Sequence, residues 1–231
     1  MSEDLALRDL LRRAGAVMTW RGGRAVPAHY GSAATELTVC VTGVGLADRA
    51  DLAVLSVTAS PRSLDGLLAR LLGHGVAPGG AVLEAGAWWC RSSRTEVVVV
   101  CPHLRVERLR AGLRHAVGRL TTGTLTDLSD ARRVFCVIGR GAGAVLASLG
   151  VYGPTGDPRA AAPFSRLSVR GQDVAWLLEA PTCALAIAEP DRAADVWQGI
   201  ELAGRPFGIH RVGLDAIDRF RVAERGAAGL L

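Results

Sequence analysis

Apolar and polar positions along this chain follow two rhythms, one of helical period and one of short apolar runs. Leu5, Leu7, Leu10, Leu11 and Ala14 share one helical face, which predicts an amphipathic helix over Leu5–Ala14. Met18–Ser32 is rich in Gly and Pro and reads as a loop. Leu52–Val57 is an apolar run with β-branched residues and predicts a strand. Pro61 then opens a helix over Ser63–Leu72, which Gly73 ends. Ala81–Cys90 and Glu96–Cys101 predict two strands joined by the polar turn Arg91–Thr95, and Pro102 stops the second. Leu104–Val117 predicts a helix ended by Gly118, and Thr122–Leu128 a strand. The order is β-α-β-β-α-β, a ferredoxin-like split unit.

The same order recurs downstream. Arg133–Ile138 predicts a strand and Gly141–Leu149 a helix ended by Gly150. A Pro/Gly loop, Gly153–Pro163, leads to strands over Ser165–Val169, Val174–Glu179 and Thr182–Ala188. Asp191 is the expected N-cap of a helix over Arg192–Ala203, and Phe207–Val212 closes the unit. The expected architecture is therefore α+β, with two consecutive ferredoxin-like βαββαβ units forming a pseudo-duplicated domain. Residues 1–50 form an N-terminal helix and loop, 51–130 the first unit, and 131–231 the second with a closing C-terminal helix. The β-branched residues of Thr35–Gly43 favour a strand.

Composition narrows the chemistry. The net charge is +5, and every basic residue is arginine, so neither a Schiff-base lysine nor a P-loop lysine exists. The arginines alternate with acids on predicted helix faces, as in Arg105–Arg119, with no aromatic-basic interleaving. That pattern reads as solvated surface and points away from nucleic acid. No apolar run reaches the ~18–20 residues of a membrane helix. The start Ser2-Glu3-Asp4 is acidic and does not read as a signal peptide, so a cytoplasmic location is expected. Cys40, Cys90, Cys101, Cys136 and Cys183 form no C-x-x-C and read as buried reduced thiols. The histidines show no metal-ligand spacing, so no metal site is expected. No nucleophile–base motif is visible.

One motif suggests a nucleotide. Gly139, Gly141 and Ala144 fit G-x-G-x-x-A between a predicted strand and a helix, where backbone N–H groups can meet a pyrophosphate. The nearest acid for a ribose, Asp157, lies in the Pro/Gly loop.

The stretch Ala203–Glu224 carries a longer signal. Phe207-Gly208 leads through Gly213-Leu214 into an amphipathic helix with Asp218 and Arg221. It resembles the "GL-x-ARD-x-LRLE" helix of the aminomethyltransferase-like, folate-binding family, which includes the T-protein of glycine cleavage and the small subunit of heterotetrameric sarcosine oxidase. Gly15–Glu36 is similar to that family's N-terminal segment, with Pro27, Tyr30, Gly31, Ser32 and Glu36 in order. Gly45-Leu46-Ala47-Asp48 resembles "aGL-x-D-x-S" without the serine. Asp127-Leu128-Ser129, Gly139, Ala142, Leu146 and Leu149-Gly150 resemble a structural segment of the family, and Ala194, Val196 and Trp197 its "a…lW" helix. The family segment matching Thr35–Gly43 is helical, so strand and helix both stay open there. The resemblance ends near Glu224 with no counterpart of the family's C-terminal barrel, which implies a truncated member.

Site residues follow from that resemblance. Active relatives place an Asp of an "N-x-x-G-G-x-x-D-D" strand beside the folate, where its charge stabilises a developing iminium. With Gly79-Gly80 as the paired glycines, Glu84 takes that position and is the candidate catalytic acid; a second alignment, shortening the segment, leaves no acid. The acidic "R-T-G-Y-T-G-E-D-G-F-E" loop is reduced to Leu178–Leu185, with Glu179 its remaining acid. Ile217 replaces the first arginine of "ARD-x-LR", while Asp218 and Arg221 survive, as folate contacts or as an i,i+3 ion pair worth ~0.2–0.5 kcal/mol. Trp88 and Trp89 are adjacent in a predicted strand and must face opposite sides, so one ring is free to stack on a pterin or meet a partner. Tyr30, Trp88, Glu179, Asp218 and Arg221 are thus the candidate folate-binding residues.

The resemblance implies a tetrahydrofolate-binding protein of one-carbon or amine metabolism. With its acids eroded, it is expected to act as a small non-catalytic subunit beside flavin-dependent amine oxidase-type partners, or as a homo-oligomer. An active minimal transferase using Glu84, and a dinucleotide binder using Gly139–Gly143, are the alternatives.

Overall fold

A computed structural model describes residues 2–152 and 162–228. The predicted loop Gly153–Pro163, with Asp157, lies outside the described residues except for its last two positions. The first helix, α1 (Ser2–Arg13), buries Leu7 and Leu11. Met18–Ser32 is not a loop. β1 (Val17–Arg21) and β2 (Arg24–His29) pair as an antiparallel hairpin with Gly22 and Gly23 in its turn.

The conflict over Thr35–Gly43 resolves as helix α2 (Ala33–Thr42). Ser32 caps it by accepting from the Thr35 N–H at 3.4 Å. Glu36 is buried and accepts from the Tyr30 N–H at 2.6 Å and the Gly213 N–H at 2.7 Å. The hydroxyls of Thr38 and Thr42 donate to the carbonyls four residues back, at 3.2 and 2.8 Å. These contacts outweigh a β-propensity that depends on packing context.

The remaining strands are β3 (Val44–Asp48), β4 (Leu52–Ala59), β5 (Gly80–Glu84), β6 (Ala87–Arg91), β7 (Glu96–Pro102), β8 (Gly123–Asp127), β9 (Arg133–Ile138), β10 (Ala162–Val169), β11 (Gln172–Ala180), β12 (Cys183–Ala188) and β13 (Ile209–Arg211). They form one 11-stranded mixed sheet in the order β13-β3-β9-β12-β11-β10-β5-β6-β7-β4-β8. The halves join where Ala162 and Pro163 of β10 pair with Ala81 and Gly80 of β5. Ala81–Cys90 is two strands, because Ala85 (φ 51°) and Gly86 (φ 74°) turn the chain back on itself. Each half thus carries a three-strand meander between its helices, and β3 inserts between β9 and β13.

The other helices are α3 (Pro61–Leu72), α4 (His103–Val117), α5 (Ala142–Ser148), α6 (Ala193–Gly204) and α7 (Leu214–Ala228). Ser60 caps α3 with Pro61 at its first turn, and Gly73 ends it. Asp191 does not cap α6. It lies in the 3-10 turn Pro190–Arg192, and α6 begins without a side-chain cap. The predicted strand Phe207–Val212 shortens to β13 behind a second 3-10 turn, Arg205–Phe207.

Alternating side chains divide the sheet's two faces among distinct cores. Val54, Val98 and Val100 of one half meet Cys136, Leu177 and Leu185 of the other across an inner core, which α7 closes with Leu214, Ile217 and Phe220. The sheet therefore curls around its own inner face. Trp176, Phe135 and Trp197 belong to an outer core shared with α1, α5 and α6, where Phe135 and Trp197 pack edge to face at 5.4 Å. Leu55, Val99 and Trp89 belong to a second outer core with α3 and α4.

Candidate functional site

Where the curled sheet meets α7, the inner core opens into a cleft of about 460 Å³. Strand alternation positions its walls. Trp89 faces the outer core, so Trp88 points into the cleft. Leu178 faces outward, so Glu179 points inward, beside a bulge between Leu178 and Ala180. On α7, Phe220, Arg221 and Glu224 line the cleft at helical spacing. Arg49, in the turn between β3 and β4, and Arg105, in the first turn of α4, supply further cations.

Glu179 is the hub. Trp88 Nε1–H donates to its Oε1 at 2.7 Å, and the Cys183 thiol donates to its Oε2 at 3.0 Å. Arg221 Nη2 donates to the same Oε2 and pairs with it as a salt bridge. Burial alone would lower the affinity of Arg221 for its proton, but the Glu179 carboxylate together with Cys183 and Cys136 outweighs it, so the guanidinium is held well above its ordinary value. Thr182 Oγ1 donates to Glu224 Oε2 at 3.1 Å on the rim. Arg49 is 7% exposed and bound bidentately by Asp51, at 2.8 and 3.0 Å.

A pair of thiols lies beside the hub. Cys183 Sγ is 3.6 Å from Cys136 Sγ and 3.4 Å from Arg221 Nη2. The hydrogen bond with Cys183, and then the charges of Arg221 and Arg49 against the penalty of burial, pull the Cys136 thiol below its ordinary value. The same hydrogen bond and burial push Cys183 up. All five cysteines are free and buried.

Three of the sequence-predicted residues, Trp88, Glu179 and Arg221, therefore converge in one cleft. The other three lie elsewhere. Glu84 is exposed at the end of β5, paired with Ala87, and its neighbour Leu83 is the cleft residue. Tyr30 packs against the outer core of α1, α5 and α6, and burial, then Asp48, raise its phenol. Asp218 does not pair with Arg221. Arg21 of the hairpin takes it at 2.6 Å, while Arg221 turns to Glu179.

The glycine motif has a packing role. A Cβ on Gly139 would lie 2.5 Å from the Gly43 carbonyl oxygen and 2.8 Å from that of Cys40. Its N–H groups are also spent: Gly139, Arg140 and Gly141 donate to Thr182, Cys40 and Gly43 carbonyls at 2.9, 3.0 and 2.7 Å. Those three donors are therefore not offered to a pyrophosphate. A more open hollow of about 580 Å³ lies between α2 and Phe207–His210, lined by Thr35, Thr38 and Thr42. Among the described residues no group of three His, Cys, Asp or Glu side chains is arranged to hold a metal ion, and no helix is long and apolar enough to cross a membrane.

Sequence reasoning missed Arg49, Cys183 and Glu224. A charged Asp48-Arg49-Ala50-Asp51 cluster between two apolar runs was the available signal for Arg49, since charges folded into such a segment must be paired. Nothing local marked the other two.

Solved structures share this fold. The glycine cleavage system aminomethyltransferase T from Bartonella henselae matches with a TM-score of 0.68 at 19% identity, over 93% of this chain and 60% of that one. The heterotetrameric sarcosine oxidase from Corynebacterium sp. U-96, in complex with pyrrole 2-carboxylate, contains a chain that matches with a TM-score of 0.60 at 21% identity, over 80% of this chain and 96% of that one. This chain thus spans 60% of the length of the first and nearly all of the second. At these identities the likeness is one of fold. No protein-family model matches the chain, and no curated protein matches it in sequence.

Proposed function

We propose that this chain is an aminomethyltransferase-like folate-binding protein of one-carbon or amine metabolism, acting as an accessory subunit without catalysis of its own. The observation that carries the reading is the Trp88–Glu179–Arg221 constellation inside the cleft of a fold shared with an aminomethyltransferase. A cleft of about 460 Å³ is within the size range of small-molecule sites. Its donor set suits a reduced folate. Trp88 offers a ring to stack on a pterin, Glu179 an acceptor for ring N–H groups, and Arg221 a partner for a glutamyl carboxylate. Bound tetrahydrofolate would supply the nitrogens that carry a one-carbon unit.

The accessory role rests on two placements. Glu84 is exposed and off the cleft wall, so the acid that the resemblance assigns to catalysis is not among the cleft's carboxylates, Glu179 and Glu224. Glu179 is engaged by Trp88, Cys183 and Arg221, which holds it as a fixed charge and binding group. A flavin-dependent amine oxidase-type subunit is the proposed partner, because a chain of this span occurs within the heterotetrameric oxidase. Exposed Leu104, next to Arg105 at the cleft, gives such a partner an apolar contact. In this reading 51–130 and 131–231 are duplicated ferredoxin-like units; the matching strand orders β5-β6-β7-β4 and β10-β11-β12-β9 support it.

Calorimetric titration with tetrahydrofolate and 5-formyl-tetrahydrofolate tests the binding. Micromolar affinity is expected, weakened about tenfold or more by Arg221→Ala. An absence of heat at millimolar ligand would overturn the folate reading. Recovery of the chain alone, with no oxidase-type subunit in a pull-down from its source cells, would overturn the accessory role.

A further inference from the structure

We propose that Cys183 is a peroxide-oxidation site in the wall of the cleft, and that Cys136 resolves it as a Cys136–Cys183 disulfide. Cys183 is 6% exposed and lines the cleft, while Cys136 is fully buried behind it. The two stand on adjacent antiparallel strands. Cys183 opposes Ile138 and Cys136 opposes Leu185, so they are diagonal neighbours on one face. Their sulfurs already touch at 3.6 Å. Cys183 begins β12, directly after the Pro181-Thr182 turn and close to the bulge in β11, where the ladder has room to give.

The surroundings supply a base and a cation. Glu179 Oε2 accepts the Cys183 thiol hydrogen at 3.0 Å, and Arg221 Nη2 lies 3.4 Å from the sulfur. Arg221 favours negative charge on both sulfurs and Arg49 on that of Cys136, against the burial and the bond to Cys136 that push the Cys183 thiol up. In the first step the Cys183 sulfur attacks one oxygen of hydrogen peroxide as its hydrogen leaves along the existing bond to Glu179 Oε2, which relays it without keeping it. The O–O bond breaks, and the departing hydroxide takes the proton from Glu179 to become water. Cys183 is left as sulfenic acid. Cys136 then attacks the Cys183 sulfur, the S–O bond breaks, and the leaving hydroxide takes the Cys136 proton as a second water. Two thiols are oxidised and one peroxide is reduced to two waters.

The disulfide removes the thiol donor from Glu179, so it alters the polar wall of the cleft. The pairing does not depend on which ligand the cleft takes; its effect on affinity rests on the folate reading.

The test uses the whole purified chain, freed of reductant, treated with hydrogen peroxide, alkylated and digested without reduction. Mass spectrometry is expected to find Cys136 and Cys183 peptides linked, an intact mass lower by two hydrogens, and reversal by dithiothreitol. In Cys136→Ser, dimedone should trap a sulfenic acid on Cys183. Full alkylation of Cys183 after peroxide, or a link joining Cys136 to Cys40, which faces it from α2, would overturn the proposal. Oxidation is further expected to weaken 5-formyl-tetrahydrofolate about tenfold, reversibly, through the lost charge-assisted hydrogen bond. Equal binding by both forms would overturn the coupling. If the reduced chain binds no folate, that reading fails while the peptide result still decides the site.

Discussion

At the scale of single residues, partners matter more than identities. Arg221 and Asp218 sit one turn apart on α7, yet each pairs with a distant residue, Glu179 and Arg21. Replacing Arg221 by Ala leaves Glu179, whose side chain is 12% exposed, without its cation. The Arg221 side chain, 31% exposed, moderates that loss, so urea unfolding should show a destabilisation of about 1–3 kcal/mol. Arg49 is a stricter case. Both it and Asp51 are buried, so Arg49→Met strands a carboxylate and should cost about 3–5 kcal/mol by the same measurement. His103 makes a pH prediction. Burial, and then the charge of Arg24, hold its ring below the ordinary value, with Asp127, Asp130 and Asp51 only partly offsetting them. Its Nε2 is buried without a hydrogen-bond partner. The folded protein thus keeps a neutral ring where the unfolded chain binds a proton. Its contribution is complete above about pH 6.5 and is lost as pH falls through the depressed folded value. Urea midpoints measured from pH 7.5 to 5.5 should decline, and His103→Gln should flatten the decline; an unchanged slope would exclude His103 as its source.

At the scale of elements, local signals were reliable where they concerned caps and breakers. Pro61 and Gly73 bound α3, and Pro102 ends β7, as their chemistry requires. The failures had a common cause. Met18–Ser32 and Ala81–Cys90 each hide a tight turn, and a hairpin differs from a loop or a single strand only through the partner it pairs with. The helix α2 was ambiguous because its β-branched residues argued against the caps and tertiary contacts that decide it. The turn at Gly139 shows how a nucleotide-like motif arises from packing. Its φ of 124° and the nearby carbonyls of Gly43 and Cys40 exclude a side chain. Gly139→Ala should therefore lose about 1–3 kcal/mol or more in thermal unfolding. Gly143 lies in α5, where an added Cβ would meet only the Pro181 carbonyl oxygen at 3.8 Å. Gly143→Ala should be neutral or gain about 0.5–1 kcal/mol.

At the scale of the whole molecule, the cleft joins parts of the chain that local patterns treat separately. Its walls come from β6 in one half of the sheet, β11 and β12 in the other, and α7 at the end of the described chain. A ligand there should stabilise all of them together. At a hundredfold excess over its Kd, 5-formyl-tetrahydrofolate is expected to add about 2.7 kcal/mol of apparent stability, read as a raised Tm. A saturating ligand that left Tm unchanged would not be seated in this cleft. By itself the sequence determined the α+β alternation and the absence of lysine chemistry, while its resemblance to a known family singled out Trp88, Glu179 and Arg221. Periodicity, caps and residue type are local properties and survive without a fold. Only the tertiary structure decided that Glu84 stays outside, that α2 is a helix, and that Glu179 meets Arg221 across 42 positions and Cys136 meets Cys183 across 47. Curling the sheet around a shared inner core sets those meetings, and no window of neighbouring residues contains both partners.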